Sequence, residues 1–248
     1  MRKLLLVITA LFLFTSAHAQ SPSACSSMVY GGVFPITKEP VQIICHQRYV
    51  VGFSTTRHTP LWVAEQLTAT EVGNEGHGNR ICTFTADPAV PVNEQGSPKA
   101  YAGTKYDKGH MANYEDANDN SAAAGDTCVF TNAVPQASSN NRGIWRSLEG
   151  DVRKLANAKG SVFIVTGPIF DGTPSTLADG TPIPTRLYKM IISPSTKEAW
   201  TVVMPNAQDM DVSTLPKYVT TVQNLRVLDT LVDVLPNNPN FVDSPTLK

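Results

Sequence analysis

A histidine, an amide, a carboxylate and several cations fall between Tyr106 and Arg153 of this chain. The stretch opens with Tyr106-Asp107-Lys108-Gly109-His110-Met111-Ala112. It runs on through Cys128-Val129-Phe130-Thr131-Asn132-Ala133-Val134-Pro135-Gln136. It closes with Asn141-Arg142-Gly143-Ile144-Trp145-Arg146-Ser147-Leu148-Glu149, with Arg153 four residues further on. A neutral imidazole near pH 7 can take a proton. An amide oxygen and a carboxylate are hard donors of the kind that Mg²⁺ selects, and guanidinium groups offset the charge of a phosphate. This is a catalytic layout, provided the fold brings the pieces together.

The elements that must do so can be read from apolar periodicity. Residues 106–112 read as a short strand ending in the histidine, residues 128–136 as a second apolar strand followed by a polar loop, and residues from 141 onward as an amphipathic helix. With Asn141 at zero and ~100° per residue, Ile144, Trp145, Leu148, Val152, Leu155 and Ala156 fall within about 60° of it. Asn141 therefore points inward at the first turn, where a polar side chain needs a partner. Glu149, Arg142, Arg153 and Arg146 follow on one flank, from about 80° to 140°. The helix alone fits two readings: a Mg²⁺ site facing a phosphate, or a capping asparagine beside a surface salt-bridge network. The histidine strand favours the first.

Composition bounds the rest. Met1-Arg2-Lys3, an apolar run from Leu4 to Phe14 and Ala17-His18-Ala19 form the pattern of a secretory signal peptide. The run is too short to span a bilayer, and no later one approaches ~20 residues, so no membrane partner is expected. Residues 20–248 then form one domain, a size that suits a single core. The chain holds 20 Lys+Arg and 21 Asp+Glu; without Arg2 and Lys3 the balance is 18 to 21, a net charge of −3. Such a chain is not a generic polyanion binder, so any nucleic-acid contact must come from a local basic stripe.

Cys25, Cys45, Cys82 and Cys128 are an even number in a chain read as exported, which favours two disulfides over a zinc site. Four cysteines allow three connectivities. Cys25–Cys45 and Cys82–Cys128 are expected, because the first pair brackets one irregular loop and the second ties the Arg80 segment to the central strand. Tyr49–Phe53 and Leu61–Ala64 read as a hairpin around the turn at 56–60. Ser161–Gly167, Arg186–Ser193 and Ala199–Met204 read as strands, and Val219–Leu231 as a helix. Residues 72–98 read as loop, with His77 a solvated histidine between glycines.

Taken together, Asp107-Lys108-Gly109-His110, then Asn132 with Pro135-Gln136, then Asn141 with Trp145, Leu148 and Glu149 resemble the motifs of the DNA/RNA non-specific endonucleases of the ββα-metal superfamily. That family carries Asp-Arg-Gly-His on its first strand and Asn-x-x-x-Trp-x-x-Leu-Glu on its helix, so Lys108 replaces an arginine here. Lysine keeps the charge and loses the planar two-pronged phosphate clamp. The resemblance implies an α+β fold: a central antiparallel or mixed sheet flanked by helices and long loops, containing a ββα-metal catalytic motif. It implies Mg²⁺, with Mn²⁺ as a substitute, held directly by Asn141 and reached by Glu149 through a water. His110 is the implied general base, and Arg80 is implied to offset charge at phosphorus. Lys108, Arg153 and Arg142 would meet substrate, while Asp107 and Asn132 would orient His110 or metal-bound water. DNA and RNA are the implied substrates, with 5′-phosphate products and little sequence or sugar selectivity.

Overall fold

The computed structural model of the protein describes residues 22–73, 82–237 and 239–247. In chain order the strands are β1 (Ile36–Thr37), β2 (Gln42–Cys45), β3 (Tyr49–Ser54), β4 (Thr59–Thr68), β5 (Tyr106–His110) and β6 (Ala133–Ala137). They continue with β7 (Ser161–Ile169), β8 (Arg186–Ile192), β9 (Glu198–Pro205), β10 (Val219–Thr220), β11 (Val232–Asp233) and β12 (Val242–Asp243). The helices are α1 (Ala69–Gly73), α2 (Pro98–Tyr101), α3 (Ser121–Asp126), α4 (Ser138–Asn140), α5 (Arg146–Lys159) and α6 (Val222–Leu228).

The main sheet has the order β10-β9-β8-β7-β4-β3-β2. Its neighbours along that path are antiparallel, and β12 adds to β9 in parallel, which makes the sheet mixed. The expected hairpin is β3–β4, and its Trp62 and Phe53 are fully buried. Gly52 is required where it stands, since a side chain there would collide with the indole of Trp62 across the hairpin.

Alternation along the strands divides the sheet between two cores. Val51, Val63, Ile164, Leu187 and Val202 face the α5 side, where Ile144, Trp145, Leu148, Val152, Leu155 and Ala156 pack. The apolar helical face read from periodicity is thus the face that is buried. Val50, Ala64, Val165, Tyr188 and Val203 face the other side, which is covered by Cys25 and Val29 from the N-terminal segment and by Val222, Leu225 and Leu235 from the C-terminal one. Burial of this kind is worth ~25 cal/mol per Å² of apolar surface. It fixes α5 on the sheet far more firmly than helix propensity could.

Three sequence expectations shift. The segment 219–231 is helical only over Val222–Leu228, because the Thr221 side chain caps the start and Asp229 leaves the helical conformation. The stretch from Cys128 begins with a 3-10 turn at Phe130–Asn132, so the strand proper is the shorter β6, which carries Pro135-Gln136 within it. A proline is tolerated there because the outer edge of β6 is covered by a side chain: Asn206 donates to Pro135 O and accepts from Ala137 N. The N-terminal segment, read as irregular loop, contributes the edge strand β2. The expected pairs Cys25–Cys45 and Cys82–Cys128 are both formed.

Candidate active site

The site grows from a two-stranded antiparallel ribbon, β5–β6, in which His110 pairs with Ala133 and Gly109 with Val134. Gly109 has a steric reason to be glycine: a Cβ there would collide with the Gln136 side chain on the partner strand. This close approach lets the ribbon lie flat and brings His110 to its end. The ring of His110 is nearly buried, with Phe84 tilted against it at 4.7 Å between centroids. Its Nε2 faces the Cys82–Cys128 disulfide, 3.6 Å from one sulfur and 3.8 Å from the other.

Asn132 is fully buried and does not reach the site cavity. Its amide accepts from Ala112 N and donates to Ala112 O and Thr127 O, while its own carbonyl accepts from Met111 N. Its influence on His110 therefore runs through the backbone just beyond the histidine.

Opposite the ribbon, the helix starts at α4 and passes through a wider π turn, Asn141–Trp145, before α5 begins. Such turns interrupt helices often at functional positions. Asp107, two residues into β5, accepts from Asn141 Nδ2 at 2.9 Å, from Arg142 Nε at 2.8 Å and Nη2 at 2.7 Å, and from Ser138 Oγ at 3.0 Å. A carboxylate at a helix N-terminus also meets the positive end of the helix dipole. Burial alone would raise the Asp107 carboxyl, but the bonds from Arg142, Asn141 and Ser138 prevail and hold it below the usual range. With its nitrogen committed to Asp107, the Asn141 amide has its oxygen to offer.

His110, Asp107, Lys108, Asn141, Arg142, Arg146, Glu149 and Arg153 all line one cavity of about 990 Å³. Lys108 Nζ lies over the rings of Phe84 and Tyr101, at 5.8 and 5.6 Å, a cation–π cradle. Arg142 is largely exposed, 74 % of its side chain, despite its grip on Asp107. Arg153 donates to the buried Asp116 at 2.8 Å. Arg80 and His77 lie outside the described residues.

Beneath the cavity lies a buried charged layer, of which the sequence reading had only Glu149. Glu65 on β4, Asp116, Glu149 and Lys189 on β8 are all at least nine-tenths buried. Lys189 Nζ donates to Thr166 Oγ1 at 2.8 Å and sits 5.4 Å above the Trp145 ring. Burial pushes Glu149 up to about 7, with Lys189 opposing and Asp116 reinforcing the shift. Burial also holds Glu65 well above the usual carboxyl range, and Asp116 above it against the pull of Arg153 and Lys189. Two cations thus face three acids, and burial favours the neutral form of Glu65. The signal was present in the sequence: a lysine inside the apolar run Leu187-Tyr188-Lys189-Met190-Ile191 must find a partner or a neutralising site. Asn113, Glu115, Phe84 and Tyr101, also on the cavity wall, had no motif to mark them.

The donors fit a hard divalent ion. Asn141 contributes an oriented amide oxygen and Glu149 a carboxyl that a nearby cation would ionise, both at the cavity wall. Cys82, His110 and Cys128 also bring three donor atoms within 4.8 Å of one another. Both sulfurs are bound to each other, however, and have no thiolate to give.

The chain matches the sequence model of the DNA/RNA non-specific endonucleases over residues 32–241. It is 29% identical to the mitochondrial nuclease EXOG of Danio rerio, over 75% of this chain and 57% of that protein. It is 28% identical to the mitochondrial Endonuclease G of Homo sapiens, over 74% of this chain and 66% of that protein. With Nuclease C1 of Cunninghamella echinulata it shares 30% identity, over 68% of this chain and 72% of that protein. The chain thus spans little more than half to about two thirds of the length of the two mitochondrial relatives. Its fold superposes on a crystal structure of Endonuclease G in complex with its inhibitor EndoGI, with a TM-score of 0.78 at 22% identity, over 90% of this chain and 97% of the other. With the ribbon, the helix and the cavity between them in place, this protein belongs to the DNA/RNA non-specific endonuclease family.

Proposed function

We propose that the protein is an endonuclease that hydrolyses DNA and RNA phosphodiester bonds with the help of Mg²⁺, leaving 5′-phosphate ends. The observation that carries this reading is the meeting of His110, Asn141 and Glu149 in one cation-lined cavity in a member of this family. Disulfide sulfurs have no proton to donate, so the contact at His110 is attractive when the ring supplies the hydrogen from Nε2. Nδ1 then keeps the lone pair and takes a proton from the attacking water. Asn141 Oδ1 and Glu149 would hold Mg²⁺, which when bound supplies Lewis-acid polarisation of the phosphate and relief of charge on the leaving oxygen.

Lys108 and Arg146, together with Arg142 and Arg153, meet the nucleic-acid backbone, and Arg80 joins them in offsetting charge at phosphorus. Contacts of this type carry no base information, which accords with action on both DNA and RNA. Asp107 sets the Asn141 amide, and Asn132 sets the backbone behind His110. Residues 20–248 act as one endonuclease domain behind a cleaved leader, and the two disulfides accord with a protein that leaves the cytoplasm for the periplasm or beyond. No helix among the described residues is long and apolar enough to cross a membrane.

The test is nicking of supercoiled plasmid and of a folded RNA, with Mg²⁺ and with EDTA. Both should be cut only with the metal, the new ends should be 5′-phosphates, and His110→Ala should be slower by roughly 10²–10⁴. Cutting that persists in EDTA, or a His110→Ala protein retaining more than about a tenth of the rate, would overturn the reading.

A further inference from the structure

We propose that reduction of the Cys82–Cys128 disulfide turns this corner of the active site into a trap for one zinc-class divalent cation. The ligands would be the two released thiolates and His110 Nε2, and the histidine would be withdrawn from catalysis.

The geometry is nearly assembled. A tetrahedral zinc ion holds sulfur at about 2.3 Å and nitrogen at about 2.0–2.1 Å, which places a nitrogen and a sulfur ligand roughly 3.6 Å apart. His110 Nε2 already lies 3.6 and 3.8 Å from the two sulfurs. Only the sulfurs must part, to the roughly 3.8 Å that two thiolates of one such ion require. Cys82 and His110 both line the cavity, so the fourth position opens to water and an ion has a path in. Among the described residues the other disulfide has no such third donor beside it, and Cys25 lies in the core on the opposite face of the sheet.

Cys82 is the half-buried partner and Cys128 the buried one, so a dithiol reductant enters at Cys82. Its thiolate bonds to Cys82 Sγ and the Cys128 thiolate leaves; the second thiol of the reductant then displaces Cys82 and closes its own disulfide. Two electrons and two protons reach the protein in all. Binding of the cation releases the two thiol protons. The proton on Nε2 gives way to the metal, and the ring stays neutral by carrying one on Nδ1 instead. Nδ1 is the atom that the proposed mechanism needs free, so the trapped form cannot act as a base. Metal capture itself does not depend on that mechanism; the loss of activity does. A chain built this way would be idle in a reducing compartment rich in thiols and become active once the disulfide closes.

The test uses the full chain, oxidised or reduced with a non-chelating phosphine, and titrates it with Co²⁺ and Zn²⁺. The reduced protein should take up one Co²⁺ with a thiolate charge-transfer band, keep its native near-ultraviolet dichroism, and release the cobalt to Zn²⁺. The oxidised protein should show no band. Cys82→Ser/Cys128→Ser, which keeps Cys25 and Cys45, should lose the band, and His110→Ala should bind at least tenfold more weakly. One equivalent of Zn²⁺ should slow the reduced nuclease tenfold or more and leave the oxidised enzyme unchanged. A reduced, natively folded protein without the band would overturn the proposal, as would a band that survives in the double serine variant. So would a reduced chain that loses its native dichroism, or zinc capture that leaves the nuclease rate untouched. An oxidised enzyme inactive on nucleic acid would count against the activity reading alone, because the cobalt titration still decides the trap.

Discussion

Asp107 Oδ2 accepts a hydrogen bond from Asn141 Nδ2 at 2.9 Å, and this bond decides which end of the asparagine amide the cavity receives. An amide free to flip would present its NH₂ to a cation half of the time, with an electrostatic cost. Because the same carboxylate also binds Arg142 twice and Ser138 once, it is itself held in place. Asp107→Asn should therefore weaken Mg²⁺ binding by roughly 10- to 100-fold, the usual effect of losing a group that orients a ligand. Asn141→Ala should remove most binding outright. Calorimetric Mg²⁺ titration of the two variants checks this, and equal affinities in Asp107→Asn and the parent would show that the amide needs no such support.

Lys108 stands at the arginine position of the motif that this stretch resembles, and its ammonium rests over Phe84 and Tyr101. The two rings hold the charge at the cavity wall, and among the described residues Lys108 has no ion-pair partner. Lys108→Ala should lower the cutting rate and flatten its dependence on salt, because one phosphate contact is lost. Lys108→Arg should keep or raise the rate, since the guanidinium also stacks on aromatic faces. Equal rates and equal salt slopes for all three proteins would mean that the side chain does not meet substrate.

The site was legible in the sequence to the extent that it is local. Strand β5 and the buried face of α5 follow from periodicity, whereas the meeting of His110, Asn141 and Glu149 at one cavity was implied only by the resemblance of their motifs to the endonuclease family. Both disulfides were legible too, since one pair brackets a single loop and the other ties a loop to the strand that follows Cys128. What the sequence hid is what the sheet alone creates. Lys189 and Glu65 come from strands 124 positions apart in the chain (189 minus 65), yet both lie under Glu149 because β4, β7 and β8 are neighbours. Asn132 has the type and spacing of a site residue, but the turn at Phe130–Asn132 faces its amide to backbone. Nothing local distinguishes an asparagine that binds water from one that binds a peptide group.

Glu149 gives the site a pH dependence of its own. Burial raises it to about 7 in the metal-free protein, so near neutrality a proton competes with a cation for the same carboxyl. Mg²⁺ affinity should rise as pH increases through about 7 and fall below it, with one proton released per ion bound on the acid side. Glu149→Gln should remove that proton release while lowering affinity. Calorimetry in buffers of different ionisation enthalpy measures the proton count, and a count of zero at pH 6 would exclude Glu149 from the site.

Stability should carry a separate pH signature at His46, which lines no part of the cavity. Its ring is stacked on Tyr49 at 4.2 Å, with Asp126 3.1 Å from Nδ1 and Asp87 3.2 Å from Nε2. Burial alone would lower its pKa, but the two carboxylates prevail and raise it to about 9. The charged form therefore ties three segments together, since Asp87 also accepts from Thr131 and Asp126 from the backbone of Gln47. A folded-state pKa above the unfolded ~6.5 means that the folded protein holds the proton more tightly. The contribution is thus complete below about pH 6.5 and is lost as pH rises through about 9. A shift of that size corresponds to on the order of 3 kcal/mol. At the acid end the same cluster weakens only when Asp87 and Asp126, whose carboxyls are held below the ordinary range, take up protons. Chemical denaturation at pH 6 and pH 9.5 should therefore show a stability loss of about that size in the parent. His46→Gln should be less stable at pH 6 and lose much less between the two values. A parent whose stability is level across that range, or a His46→Gln protein that falls as steeply as the parent, would show that the imidazolium does not hold these segments together.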